Sequence, residues 1–346
     1  MATESLKLDA MLPSAPGVGA EAHRLEDIGC DAGWVTETAW DPFVSIAEAA
    51  LDSSRLRLGT SIAVALARNP MTLATTANHL QLLSEGRFTV GLGSQVKAHV
   101  ERRFNMPWSH PAPRMREFAR AVRAIWRSWE TGEPLDFTGE FYRHTLMAPL
   151  FDPGPNPYGP PPLYLSAVGP AMTEVAGEVA DGFLVAPLAP PAYVRDHVLE
   201  RLAAGRDRAV EPRPSLAVCA MPFVSTGRDQ AELDASIESN RARIAFYAST
   251  PSYFPVMDHV GLGGLQEKLT ALSKQREWEQ MTAAISDDVL EVFSVVGWCD
   301  EVVPELDRRY AGLVDRVTIY SADGIATEVL AEILRGRGTG SAPVTS

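Results

Sequence analysis

The chain has 346 residues, of which 46% are hydrophobic and 22% are charged, and its formal net charge is −13. This composition is typical of a soluble globular protein with one large barrel domain or two ordinary domains, and no basic stripe is present to meet nucleic-acid phosphates. Three widely separated cysteines predict neither a disulfide framework nor a zinc site. The amino terminus lacks signal-peptide regions and no apolar run reaches membrane-spanning length, so the cytoplasm is the expected location.

Apolar runs and helical periodicities alternate along the chain. The predicted strands cover residues 6–12, 32–36, 58–66, 88–93, 162–167, 182–185, 216–224 and 314–320. The predicted helices cover residues 20–28, 42–52, 70–83, 114–131, 170–180, 193–208, 229–247, 301–310 and 325–334. Roughly eight strand–helix units favour a single (β/α)8 TIM barrel over residues 1–335. A doubly wound sheet is the competing architecture, although the GxGxxG dinucleotide fingerprint is absent.

Three segments fall outside this alternation. Residues 132–161 are rich in glycine, proline and aromatic residues, and they are too long for a simple loop, so we expect them to form a cover over the site. Residues 248–292 are expected to form a helical insertion. Residues 336–346 are rich in glycine and serine and are expected to be a flexible tail.

The stretch 57–94 predicts a strand, a crossover helix and a parallel strand, which form a right-handed unit. Asn69 is expected to cap the helix, with Pro70 at its first position. The polar pair Thr60-Ser61 interrupts a strand that is otherwise apolar, and a bulge would turn a side chain or carbonyl toward a site. Since barrels keep their sites at the carboxyl ends of the strands, we expect the site there.

Three segments resemble the luciferase-like monooxygenase superfamily, and most of all the F420-dependent oxidoreductases of actinobacteria. They read GTSIAVALARNPMTLA, LLSEGRFTVGLGS and AVGPAMTEVAGEVADGFL, and they occur in the family's order at barrel strand ends. The resemblance covers residues 6 to about 334. It implies a (β/α)8 barrel with an insertion, a pocket for FMN or the deazaflavin F420 at the carboxyl face, and a homodimer.

The resemblance also implies which residues contact the cofactor. A cis peptide between Ser61 and Ile62 would back the deazaflavin ring, and the alternative is an ordinary strand pair. The other implied contacts, each of which could instead serve an ordinary strand–helix turn, are Gly91, Gly93, Ser94, Val168, Gly169, Pro170, Ala171, Met172 and Gly182. The segment 168–172 would hold the phosphate or ribityl chain, because a helix amino terminus binds anions. The loop after residue 185 lacks the lysine that some relatives use, so an acidic coenzyme tail would need arginine from elsewhere.

Related sugar-phosphate dehydrogenases carry an Asp-His pair where this chain has Glu37-Thr38. Glu37, if desolvated beside the ring, could act as a proton donor, or it could cap a loop or pair with an arginine. His99 and His110, which flank the connection after residue 94, are the alternative acid–base groups, although lone histidines are more often structural.

Three functions follow from the resemblance. The first is an F420-dependent oxidoreductase that transfers a hydride to or from a small organic substrate, and the proline- and aromatic-rich cover suggests that this substrate is fairly apolar. The second is an FMN-dependent monooxygenase that uses oxygen. The third is a non-catalytic flavin-binding protein. Basic residues at the pocket mouth would favour F420, whose tail is polyanionic, whereas the net acidity of the chain argues mildly against it.

Overall fold

The computed structural model describes residues 6–210 and 215–338. The strands are β1 Lys7–Leu12, β2 Ala32–Val35, β3 Arg57–Thr60, β4 Ala63–Val64, β5 Phe88–Gly93, β6 Phe137–Thr138, β7 Arg143–His144, β8 Leu163–Ala167, β9 Gly182–Val185, β10 Ala217–Ala220, β11 Phe223–Ser225, β12 Ser294–Val296 and β13 Arg316–Ile319. The helices are α1 Val18–Asp27, α2 Pro42–Asp52, α3 Pro70–Leu83, α4 Lys97–Arg102, α5 Pro111–Thr131, α6 Pro170–Val179, α7 Pro191–Tyr193, α8 Leu199–Arg206, α9 Gln230–Ala248, α10 Phe254–His259, α11 Gly263–Gln275, α12 Trp278–Ala283, α13 Asp287–Phe293, α14 Cys299–Tyr310 and α15 Thr327–Arg335.

The main sheet is a closed parallel barrel. Its strands follow the order β3-β2-β1-β13-β10-β9-β8-β5, and β4 continues the third barrel strand alongside β5. Closure comes from the pairing of β3 with β5, in which Leu58 lies opposite Phe88. The predicted (β/α)8 barrel is therefore confirmed, and the doubly wound sheet is excluded.

Two predicted strands are interrupted. The strand predicted over 58–66 breaks at Ser61 and Ile62, and after β4 it ends in a 3-10 turn, Ala65–Ala67. The strand predicted over 216–224 divides into β10, which belongs to the barrel, and β11, which pairs with β12 in a separate two-stranded parallel sheet. β12 was not predicted from the sequence, because three residues are too few to show a period.

The main core lies between the barrel and its helices. α5 is amphipathic as predicted and buries Phe118, Val122 and Ile125, although it begins at Pro111 rather than at residue 114. α3 begins as predicted, since the Asn69 side chain accepts a hydrogen bond from the N–H of Met71 at 2.8 Å.

A charged pair fills part of the barrel lumen. The guanidinium of Arg316 donates to both carboxylate oxygens of Asp9, and the indole N–H of Trp34 donates to Asp9 at 2.9 Å. Burial alone would lower the pKa of Arg316, but the carboxylate of Asp9 outweighs it and raises that pKa. The Trp34 ring lies over Gly59, where an added Cβ would come within 2.3 Å of it. Glycine at position 59 therefore makes room for the indole.

The segment 132–161 packs along the outer helices. Its hairpin, β6 and β7, encloses backbone N–H groups that donate to Glu117 of α5, and Asn156 bonds to Asn78 of α3. Both helices flank β5, so the segment is anchored beside the strand that the sequence placed at the site. Its position over the site itself stays a prediction.

The segment 248–292 contains the 3-10 turn Pro251–Tyr253 and the helices α10 to α12, and α13 extends to Phe293. In the predicted tail, Gly336–Gly338 form a 3-10 turn, and residues 339–346 lie outside the described residues. Every helix within the described ranges is too short or too polar to cross a membrane.

Candidate functional site

The break in the third barrel strand is hydrogen-bonded to the carboxyl end of β2 and the loop that follows it. The Ser61-Ile62 peptide is cis, as predicted. The N–H of Ser61 donates to the carbonyl of Val35 at 2.8 Å, and the hydroxyl of Thr36 donates to the carbonyl of Ser61 at 2.8 Å. The N–H of Glu37 donates to the carbonyl of Ile62 at 3.2 Å. Three successive residues of β2 and its loop thus satisfy three backbone groups of this pair.

Glu37 continues the same contact with its side chain. Its carboxylate oxygen Oε2 accepts a hydrogen bond from the N–H of Val64 at 2.7 Å and another from Nη1 of Arg68 at 2.6 Å. The Glu37 side chain is 6% exposed and that of Arg68 is 17% exposed. Of the roles considered for Glu37, the structure shows the one in which it pairs with an arginine.

Arg68 joins the loop after β2 to the loop after β4. Besides Glu37, its guanidinium reaches Asp41 at 3.3 Å and the carbonyl of Val64 at 3.0 Å, and it lies 5.1 Å from the centroid of the Phe43 ring. Asp41 in turn accepts a hydrogen bond from the N–H of Phe43 and caps α2. One cation therefore fixes both loops at the carboxyl end of the barrel.

Arg68, Thr36 and Asp41 were not predicted from the sequence as residues of the site. The signal for Arg68 was present, because it is the lone basic residue between the apolar strand and the cap of α3. Glu37 was recognised as a residue that could pair with an arginine, but its partner lies 31 positions away and no local pattern identifies it.

The glycines at the end of β5 allow close approach. An added Cβ on Gly91 would lie 1.9 Å from the carbonyl oxygen of Thr60, whose hydroxyl also bonds to the backbone of Gly91. A Cβ on Gly93 would lie 2.8 Å from the Ile62 side chain. Ile62 therefore packs directly on the β5 backbone. Ser94 is half-buried beside this contact.

The segment 168–172 opens α6 at the carboxyl end of β8. Gly169 precedes the helix, no side chain caps it in the described part of the chain, and an added Cβ on Gly169 would meet nothing within 4 Å. The first N–H groups of a helix have no acceptor within it. Pro170 has no N–H, so Ala171 and Met172 supply the donors that an anion could use.

The remaining predicted residues lie apart from the end of β5 and from the start of α6. Gly182 is the first residue of β9 and so lies at the amino end of the barrel, where an added Cβ would come within 2.6 Å of the Tyr164 ring. The prediction that Gly182 joins the cofactor residues is therefore not supported by its position, and packing against Tyr164 explains the glycine. His99 is exposed on α4. His110 is exposed at the amino end of α5, and its ring lies 6.0 Å from that of Phe141.

Comparison with known proteins assigns a family. The family described as luciferase-like monooxygenase matches residues 4–316. An uncharacterized protein of Mycobacterium tuberculosis is 47% identical over 313 residues, which are 90% of this chain and 92% of that protein. An F420-dependent glucose-6-phosphate dehydrogenase of Nakamurella multipartita is 32% identical over 158 residues, which are 45% of each chain.

Solved structures agree on the fold. The coenzyme F420-dependent tetrahydromethanopterin reductase of Methanopyrus kandleri superposes with a TM-score of 0.78 at 21% identity, over 96% of this chain and 98% of the other. The EDTA monooxygenase of Chelativorans sp. BNC1 superposes with a TM-score of 0.72 at 18% identity, over 98% and 95%. With nine-tenths of its length matched, this chain belongs to the luciferase-like monooxygenase family.

Proposed function

We propose that the protein is an F420-dependent oxidoreductase that transfers a hydride between the deazaflavin and a small, fairly apolar organic substrate. The observation that carries the proposal is the pairing of two features at one barrel end. One is the half-buried Ile62 side chain, which packs on the β5 backbone and offers an apolar surface to a flat ring. The other is the open amino terminus of α6, two barrel strands away.

These residues fit the cofactor at both ends. A ring stacked on Ile62 would be bounded by Ser61 and Ser94, which supply hydroxyl groups. The N–H groups of Ala171 and Met172 would hold the phosphate or ribityl chain. Of the loops at this end of the barrel, 13–17 and 186–192 carry no ionisable side chain, which fits an uncharged substrate.

When bound, F420 would supply obligate two-electron hydride chemistry. The chain would contribute orientation and proton delivery. Since Oε2 of Glu37 is held by Val64 and Arg68, we propose that Glu37 positions the Ser61–Ile62 segment, and His99 and His110 are the alternative proton donors.

The test is a fluorescence titration of the purified protein with F420 and, separately, with FMN. We expect F420 to bind at least tenfold more tightly, which corresponds to about 1.4 kcal/mol. Tight FMN binding together with oxygen consumption driven by reduced FMN would overturn the proposal. That result would place the protein with the monooxygenases, a function supported by its likeness to the EDTA monooxygenase fold.

We also propose a homodimer in which α2 and α3 meet their counterparts. Val44 and Leu51 on α2 are each 70% exposed, and Leu82 on α3 is 49% exposed. A contiguous exposed apolar patch marks an interaction surface, and we propose that these side chains on the two adjacent helices form one. Light scattering after gel filtration should give a dimer for the wild type and a monomer for Leu51→Glu, and a monomeric wild type would refute this assembly.

A further inference from the structure

Two histidines from distant parts of the chain meet beside the loop that follows β9. His197 lies on the π-helical turn Val194–Val198, between α7 and α8, and His259 is the last residue of α10. Nε2 of His197 is 3.0 Å from Nδ1 of His259, and the two rings are nearly perpendicular, at 85°. The contact therefore joins the barrel wall to the segment 248–292.

The surroundings of this contact hold both rings in place. The buried Tyr193 ring lies 4.9 Å from the His197 ring and 5.6 Å from the His259 ring. The other nitrogen of His259, Nε2, lies 3.4 Å from the carboxylate of Asp196. The aromatic ring fixes the angle between the histidines, and the carboxylate favours a proton on the far side of His259.

We propose that His197 and His259 form a proton-operated clasp that fastens the segment 248–292 to the turn after β9. A neutral or singly protonated pair can adopt tautomers that place one N–H donor opposite one lone pair. A doubly protonated pair has only donors, so two N–H groups and two positive charges would face each other at 3.0 Å. The clasp is closed with up to one positive charge and opens with two.

The charged groups around the clasp do not stabilise a second proton on the histidine pair. Asp196 is the carboxylate in contact and already pairs with His259. Arg201 of α8 lies near Tyr193, and it is bound to Glu174 of α6 at 2.8 Å. On the π turn Arg195 adds a positive charge, and on α10 Asp258 precedes His259 but is exposed.

Acid is the stimulus that would add the second proton, because histidine is the side chain that changes charge near physiological pH. The turn that carries His197 begins directly after α7, and α7 follows the loop 186–190, which begins at the carboxyl end of β9. Opening would therefore free that loop at one end. This proposal stands apart from the choice of cofactor, because no cofactor residue takes part in the contact.

Hydrogen exchange of the full-length protein tests the clasp. Protection factors, corrected for the intrinsic pH dependence of exchange, would be compared at pH 7.5 and pH 5.0 for peptides covering 191–206 and 254–262. We expect protection of both peptides to fall at least tenfold at pH 5.0. A peptide from α3 should keep its protection, which shows that the fold persists.

Variants distinguish opening of the clasp from a loss of hydrogen-exchange protection that affects the whole protein at low pH. In His259→Phe and in His197→Phe, which keep a ring but remove the donor and the lone pair, the two peptides should show the low protection already at pH 7.5, with little further change at pH 5.0. His23→Gln removes an exposed histidine of α1 that pairs with Asp27, and it should behave as the wild type.

Proton NMR titration of the histidines gives an independent measurement. In the wild type the two rings should titrate in two coupled steps, and in each single variant the remaining ring should titrate in one. Equal protection at the two pH values, a pH response that survives in both variants, or independent one-step titrations in the wild type would each overturn the proposal.

Discussion

Replacing Arg68 with methionine tests the link between the loop after β2 and the candidate cofactor surface. The change keeps the length of the side chain and removes the cation that contacts Glu37, Asp41 and the carbonyl of Val64. Glu37 then keeps one donor, the N–H of Val64, for a carboxylate that is 94% shielded from water. The segment after Ser61-Ile62 then loses the contacts that Arg68 makes with the carbonyl of Val64 and with Glu37.

The magnitude follows from burial. Removing one partner of a buried ion pair costs about 3–5 kcal/mol, and the partial exposure of Arg68 places Arg68→Met near the lower end, about 3 kcal/mol. Glu37→Gln retains an acceptor for Val64 but loses the charge, at about 2 kcal/mol. Since both changes remove the same pair, the double variant should lose about 3 kcal/mol, which gives a coupling energy of about 2 kcal/mol.

Urea unfolding of the wild type, the two single variants and the double variant measures the coupling energy. Fluorescence titration of the same four proteins with F420 measures cofactor binding. We expect Arg68→Met and Glu37→Gln each to weaken F420 binding about tenfold, or 1.4 kcal/mol. Arg57→Met, at an exposed position at the amino end of β3, is the matched control and should change neither quantity. Additive stabilities would refute the coupling. Unchanged F420 affinity with turnover lowered about 10²–10⁴-fold in Glu37→Gln would instead make Glu37 the proton donor.

Three further predictions concern stability. Burial raises the pKa of Glu26, but hydrogen bonds from backbone N–H groups and a hydroxyl outweigh burial and lower this pKa from 4.5 to about 2. In urea unfolding at pH 7, Glu26→Gln should therefore lower the free energy of unfolding by about 3 kcal/mol. This difference from the wild type should vanish as the pH falls from 4.5 toward 2. Gly91→Ala should cost about 3 kcal/mol because of its clash with Thr60, whereas Gly169→Ala should leave the melting temperature within a degree or two. Arg316→Met should cost about 3–5 kcal/mol, because it leaves the fully buried Asp9 unpaired, and a loss below 1 kcal/mol would contradict this account.

Local sequence signals were sufficient for the barrel and for the break in its third strand. Apolar runs, periodicity and caps such as Asn69-Pro70 predict the strands and helices of the barrel, and each of these signals acts within a few residues. The polar Thr60-Ser61 pair in an apolar strand marked the break in the same local way. The hydroxyl of Thr60 has a different role from the one expected, because it bonds across to the backbone of Gly91 instead of turning toward a site.

Contacts between distant residues could not be predicted in this way. The Glu37–Arg68 pair and the His197–His259 contact join residues 31 and 62 positions apart, and either side chain alone is compatible with many partners. Glycines were ambiguous for a related reason. Gly182 and Gly169 look alike in the sequence, yet one leaves room for a tyrosine ring and the other faces open space.

The net charge of −13 is compatible with an anionic cofactor for a physical reason. At physiological ionic strength the field of a surface charge is screened within about 8 Å, so acidic residues far from the barrel mouth contribute little there. The N–H groups of Ala171 and Met172 would act at contact distance, and the α6 dipole adds a partial positive charge of about half an elementary charge. Binding at such a site depends on backbone geometry rather than on side-chain cations. A chain can therefore be strongly acidic, lack a lysine in the loop after β9, and still present an anion site at the uncapped amino terminus of α6.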